Sequence, residues 1–404
     1  MTKTKEGRGI TPPSFIRSPD QKWLYLPCMK VNVTIKPDML EWAIQRAGHV
    51  VQTYIEEHPR VGQWLSGEKM PTVKQLEDFA QKVHVPFGYL FLPQPPKEHL
   101  PIPFFRTGTK QQAEPGLNVF DTVLLIQQRQ EWLTEYLTEN GSEPLRFVSK
   151  FKVSDSCRAI VNDIRKTLNL PEEWAATCQS WEKALDHLTH HIEDAGVIVN
   201  FNSIVENNTH RAIPVDECRG FVLVNNLAPF MFVNSADAKG AQLFTIVHEL
   251  AHIWLGASAG FDNKRMLPAN DPIELLCDQV AAEFLVPENA FGRIWTRQPN
   301  IGAAARYFKV SRIVIARRAF DLGKMTRAEF FAFYNDYITE VRSRKESQEG
   351  GGDFYLTQKK RLSLRFTAYV NQAVRENRLL YRDAYRITGL KGNTYDQFIN
   401  KHLN

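Results

Sequence analysis

His248-Glu249-Leu250-Ala251-His252 places two imidazoles four residues apart, with a carboxylate beside the first. On a helix, positions i and i+4 are neighbours on one face, so both rings can reach a single Zn²⁺. Glu249 then stands where it can take a proton from a water activated by the metal. With eleven His in 404 residues, such a pentapeptide arises by accident in roughly one chain in a hundred. The alternative to a metal site is a pair of core histidines matched to buried carboxylates, and a third ligand would decide between them.

Residues 238–255 must carry the pentapeptide. Phe244, Val247, Ala251 and Leu255 recur at three- and four-residue spacing, which predicts a helix with one buried stripe. Ser235 or Asp237 could cap its start, and Gly256 suits its end. His248 and His252 lie on the side of that stripe and so point inward. A second helix is expected from Asp271-Pro272, a strong start, to Pro287, a strong stop. Glu274 and Asp278 share one face of it, whereas Glu283 falls about half a turn away from Glu274. Glu274 is the candidate third ligand, and Asp278 could accept the spare N–H of a ligand imidazole. Asp271-x-x-Glu274 also reads as a capping box, so capping is the competing role of Glu274. Cys277 is a rival soft ligand on a different face, read as a small buried residue.

Short β-rich runs precede the pentapeptide at residues 196–201, 220–224 and 229–233, the last two forming a hairpin around Asn225-Asn226-Leu227-Ala228. Phe230-Met231-Phe232-Val233 is either an edge strand able to hold an extended peptide chain or a plain structural edge. His210 and Arg211 are candidate oxyanion partners or simple surface residues.

The order of these elements resembles the ImmA/IrrE family of metallo-endopeptidases over approximately residues 195–335. The family pattern is H-E-x-x-H followed by E-x-x-x-[ND]-x-[FV]-A-x-x-[LF]-[LM]-x-P. Here it reads Glu274, Asp278, Val280, Ala281, Phe284, Leu285 and Pro287. The family often has Asn and Phe at the positions of Asp278 and Val280, and neither difference touches a ligand. The resemblance implies His248, His252 and Glu274 as zinc ligands, Glu249 as general base and Asp278 as the residue behind a ligand imidazole. It implies one Zn²⁺ per chain, although Mn²⁺ or Fe²⁺ suit the same donors. It also implies a narrow protein substrate, a helix-turn-helix transcriptional repressor whose cleavage derepresses mobile-element or stress-response genes.

Val61-Gly62-Gln63-Trp64-Leu65-Ser66-Gly67-Glu68-Lys69-Met70-Pro71-Thr72 resembles the exit of the recognition helix in Cro/repressor-type helix-turn-helix domains. The recognition helix would offer Arg60 and Gln63 to DNA, with Glu56 and Glu57 close by. DNA readers usually present more cations, so protein docking stands beside DNA binding as its use.

Charge is uneven along the chain. Residues 1–100 carry 13 basic and 10 acidic side chains, residues 101–299 carry 17 and 25, and residues 300–404 carry 20 and 10. The basic last third includes Arg306, Lys309, Arg312, Arg317, Arg318, Arg361, Arg365 and Arg386, and could meet nucleic acid or an acidic partner. Five Cys without paired short spacing suit a reducing compartment, and no apolar segment reads as a targeting or membrane-spanning stretch. A cytoplasmic protein is the expectation.

The expected fold is α+β. A zincin-like core, a small mixed sheet packed on the metal-bearing helices, is joined to an N-terminal all-α helix-turn-helix domain and a C-terminal helical module. Its segments are an extension (1–30), the helix-turn-helix domain (31–93), a Pro-rich connector (94–115) and a helical region (116–194). The peptidase domain with a helical appendage (195–344), a linker (345–352) and a small helical module (353–404) follow. His187, His190 and His191 cluster in the helical region without a completing ligand and read as structural. The competing function is a DNA-binding regulator or a toxin–antitoxin or phage-defence component whose metal site is regulatory or silent.

Overall fold

A computed structural model of the chain describes residues 15–17, 23–25, 32–98, 100, 104–106, 116–262, 271–297, 300–345 and 361–403. The chain divides into two compact units, Met1–His99 and Leu100–Asn404. In the first, strands β1 (Phe15–Arg17) and β2 (Trp23–Tyr25) pair antiparallel. Helices α1 (Pro37–Arg46), α2 (Val51–Glu57), α3 (Pro59–Leu65) and α4 (Val73–Lys82) surround a core of Leu40, Ile44, Tyr54, Val61, Leu76 and Phe79. Thr72 and Gln75 form a reciprocal capping box at the start of α4. Only His58 separates α2 from α3, with φ −127° and ψ 68°, because Pro59 opens the next helix. Arg60 is exposed on α3 and Gln63 is half-buried.

The second unit is built on a mixed sheet. Its best-buried strands are β4 (Ile198–Asn202), β7 (Gly220–Leu223) and β8 (Phe230–Asn234). A hairpin of β5 (Ile204–Val205) and β6 (Asn208–Ala212) lies between β4 and β7 in sequence. β9 (Ala259–Asp262) pairs with β7, and β3 (Phe104–Arg106) pairs parallel with β9, giving the order β3-β9-β7-β8-β4. β7 and β8 form the expected hairpin. The expectation of an edge strand at Phe230, Met231, Phe232 and Val233 is corrected: β8 is hydrogen-bonded to β4 on one side and β7 on the other. All four side chains are buried, so β8 has neither a free edge nor a free face.

Alternation along the strands divides the core in two. Val199, Val222, Met231 and Val233 face α6 (Cys157–Leu168), α7 (Trp181–Asp194), α8 (Lys239–Leu255) and α9 (Pro272–Leu285). α10 (Glu288–Arg297), α11 (Ile301–Phe308) and α12 (Arg312–Asp321) extend this layer, and α13 (Arg327–Lys345) packs on α12. On the other face, Ile198, Phe221, Phe230 and Phe232 meet the 23-residue α5 (Leu117–Glu139). The C-terminal helices α14 (Leu364–Arg375), α15 (Tyr381–Thr388) and α16 (Asn393–His402) complete that layer. Residues 116–194 and the C-terminal helices thus cover the sheet rather than standing apart from it.

Candidate metal centre

α8 brings His248, Glu249 and His252 into the interior, each at most 1% exposed. The helix is buried on nearly every side rather than along one stripe, because the sheet lies beneath it and α9 beside it. Neither Ser235 nor Asp237 caps its start. Ala238 holds that position without a side-chain bond, and the Gln242 amide instead donates to the carbonyls of Ser235 and Asp237. Gly256 ends the helix at φ 74°, a left-handed conformation that glycine adopts at little cost.

α9 supplies the third donor. Asp271 caps it, its carboxylate accepting from the backbone N–H of Ile273 at 2.8 Å and of Glu274 at 3.4 Å. The Glu274 carboxylate is directed at the histidines. Its Oε2 lies 3.1 Å from His248 Nε2 and its Oε1 3.2 Å from His252 Nε2, and the two Nε2 atoms are 3.2 Å apart. Each imidazole Nε2 thus faces one oxygen of the same carboxylate, and one donor atom from each of the three residues lies within 4.8 Å of the others, close enough to share a zinc-type ion. Among the described residues, His248, His252 and Glu274 are the group of ligand-bearing side chains close enough to share an ion, and Cys277, though buried, stands outside it. Asp278 Oδ1 lies 3.1 Å from His248 Nδ1, the contact that fixes a ligand ring's tautomer and orientation. Glu283 points away, ion-paired with Arg318, whose Nε also donates to the Val286 carbonyl at 3.0 Å.

Electrostatics sharpen the site. Burial alone would lower the His248 pKa, but hydrogen bonds to Asp278 and Glu274 overcome it and hold the imidazole up at about 10. Burial would raise Glu274, yet its bonds to the two histidines keep it well below the usual carboxylate range. Glu249 is different. It is fully buried, neither carboxylate oxygen has a hydrogen-bond partner among the described residues, and burial pushes its pKa up to about 8. An unpartnered buried carboxylate next to an ion-sized donor triangle has the form of a base waiting for water.

Gly220, which the sequence reading passed over, lets β7 approach α8. A Cβ there would lie 2.5 Å from Thr245 Cγ2, 2.9 Å from the Phe232 carbonyl oxygen and 3.4 Å from Glu249 Oε1. A glycine opening a strand was its only sequence signal. Arg211 is committed elsewhere, paired with Asp121 at 2.6 Å and bonded to Asn118 on α5. His187, His190 and His191 lie together on α7 outside the donor group. Several cations of the last third are paired within the fold: Arg312 with Glu340, Arg317 with Asp321, Arg318 with Glu283, and Arg365 with the Glu193 carbonyl. No helix among the described residues is long and apolar enough to cross a membrane.

No curated protein matches the chain. Residues 362–401, spanning α14 to α16, match a domain of unknown function (DUF8813). Residues 192–320, which contain the sheet strands β4, β7 and β8, both donor helices and all three donors, match the IrrE N-terminal-like domain of the Peptidase_M78 family.

Proposed function

We propose that the chain is a zinc-dependent endopeptidase. The observation that carries this reading is the donor triangle of His248, His252 and Glu274 with the unpartnered Glu249 carboxylate beside it. The match of residues 192–320 to a peptidase family supports it. His248, His252 and Glu274 would hold the ion, and Asp278 would keep His248 in the tautomer that leaves Nε2 free to bind. When bound, zinc supplies Lewis-acid polarisation of water and of the peptide carbonyl. The Glu249 carboxylate accepts the proton of the attacking water and returns it to the leaving amide nitrogen. Its raised pKa suits both halves of that transfer near neutral pH.

The substrate we assign is a specific protein, a helix-turn-helix transcriptional repressor whose cleavage releases mobile-element or stress-response genes. Support for it is the family resemblance of the metal-bearing segment. The first unit is read as a helix-turn-helix-like recognition module. Arg60 is the one cation on α3, which favours docking to protein over reading of DNA. The regulator alternative needs a closed site with a fourth protein ligand, whereas the donors brought together among the described residues number three.

The test is metal content and proteolysis on the same preparations. Purified protein should hold about one zinc per chain, and His248→Ala and Glu274→Ala should lose it. Wild type should cut repressors encoded near its gene, and Glu249→Gln should not. Absence of metal, or zinc indifferent to Glu274, overturns the reading.

A further inference from the structure

Of the asparagines on the sheet face turned away from α8, Asn234 donates to the Ile213 and Cys218 carbonyls and Asn202 to the Glu206 carbonyl, which leaves Asn200. Asn200 shares that face of β4 with Ile198 and is paired in register with Phe232. It is 1% exposed, and neither its amide nitrogen nor its oxygen has a hydrogen-bond partner among the described residues. A buried polar atom without a partner has given up its hydration for nothing in return. An amide left open at both ends therefore points to a partner that the chain itself does not provide.

What surrounds Asn200 specifies that partner. A cavity of about 20 Å³, space for one or two water-sized groups, is lined by Arg129, Asn200, Glu206, Phe232, Arg361 and Thr388. Arg129 on α5 is 7% exposed and donates through Nε to the Ile387 carbonyl at 2.9 Å. Burial lowers its pKa to about 10, Glu206 acting in the opposite sense, so it remains a cation at neutral pH. Arg361, just ahead of α14, has a buried Nε without a partner. Two guanidinium groups thus share the cavity with one carboxylate, that of Glu206 at the exposed rim. The surplus is one positive charge, which suits a singly charged group better than a doubly charged phosphate. The planar fork of a guanidinium matches the two oxygens of a carboxylate.

We propose that this cavity binds the carboxylate group of a small organic acid, held between Arg129 and Arg361 with the Asn200 amide donating to it. The rest of the acid extends past Glu206 toward solvent. The walls come from α5, β4 and the C-terminal helices, so the bound acid fastens the 362–401 module to the sheet. The site lies across the sheet from α8 and owes nothing to the metal reading.

The experiment is thermal unfolding of the full chain titrated with sodium acetate, against sodium chloride and sodium phosphate at matched ionic strength. Acetate should raise the midpoint saturably, by about 3 °C or more at high occupancy, and the other salts should not. Asn200→Leu and Arg361→Met should each abolish the acetate response. Without acetate, Asn200→Leu should unfold at or above the wild-type midpoint, because it removes two unpaired polar atoms. No acetate response, a response shared equally by chloride or phosphate, or one that survives both substitutions overturns the proposal.

Discussion

Glu249 and Glu274 sit within one site, yet their surroundings drive them in opposite directions. Glu274 is bonded by two imidazoles and stays ionised, whereas Glu249 is buried without a hydrogen-bond partner among the described residues, and burial raises its pKa. Their substitutions should therefore separate. Glu249→Gln should keep the zinc and lose cleavage by a factor of about 10² or more, while His252→Ala should lose both. Retained proteolysis in Glu249→Gln would falsify the mechanism. Glu274→Ala should weaken metal binding far more than Glu283→Ala, whose partner is Arg318, as a competition with a chromophoric chelator would show. The metal-free protein should also report these charges through pH. Glu249 rises from 4.5 unfolded to about 8 folded, and His248 from 6.5 to about 10. The folded state thus keeps protons that the unfolded chain releases. Both contributions are complete below the unfolded values and are lost as pH rises through the folded ones. Glu274 works the other way, losing its contribution only as pH falls below the carboxylate range. His252, lowered by burial, gains stability as pH rises to 6.5 and so offsets the Glu249 loss below that value. Stability of the metal-free protein should be highest at about pH 5–6 and decline toward about pH 9 in urea unfolding, and Glu249→Gln should flatten the lower part of that decline. A rise over the same range would remove this account of the site.

At the scale of elements, the donors are placed by a cap and by a close approach. Asp271→Ala should cost about 1 kcal/mol by freeing the first turn of α9, the turn that carries Glu274. Zinc affinity should fall with it, and unchanged affinity in the same chelator competition would show that the cap does not position the ligand. Gly220→Ala should be worse, about 1–3 kcal/mol in urea unfolding, because its methyl would meet the Phe232 carbonyl as well as Thr245. These two residues also mark how far the sequence could be read. Asp271-Pro272 and Pro287 gave α9 nearly to the residue, and the 248/252 spacing gave the donor face, since capping and helical period are local properties. The β7–β8 hairpin was legible for the same reason. The position of β8 in the sheet was not, because its parallel pairing with β4 joins segments some thirty residues apart. A signal was present: four consecutive apolar positions, Phe230–Val233, without apolar/polar alternation mark a strand covered on both faces, not an edge. The absence of a side-chain cap on α8 was equally hidden, since Ser235 and Asp237 use their carbonyls to hold Gln242.

At the scale of the second unit, the sheet transmits between two cores. Phe230 and Phe232 face α5 and the C-terminal helices, while Met231 and Val233, alternating with them on the same strand, face α8. Displacing β8 from either side must move the other, because a close-packed interior yields little. Phe366 tests this coupling. It is fully buried on α14, edge-on to Phe230 at 5.5 Å and to Trp132 at 5.7 Å, on the side of the sheet away from the metal site. Phe366→Ala should cost about 3–5 kcal/mol in urea unfolding. If the sheet couples the two layers, the whole loss appears in one transition, and zinc release follows the loss of helical signal at the same lowered denaturant concentration. If residues 362–401 instead form a detachable module, the helical signal should fall in two steps, with zinc retained through the first. The shared sheet predicts the single step: the residues flanking those aromatic contacts on β8 are the floor on which α8 holds His248 and His252.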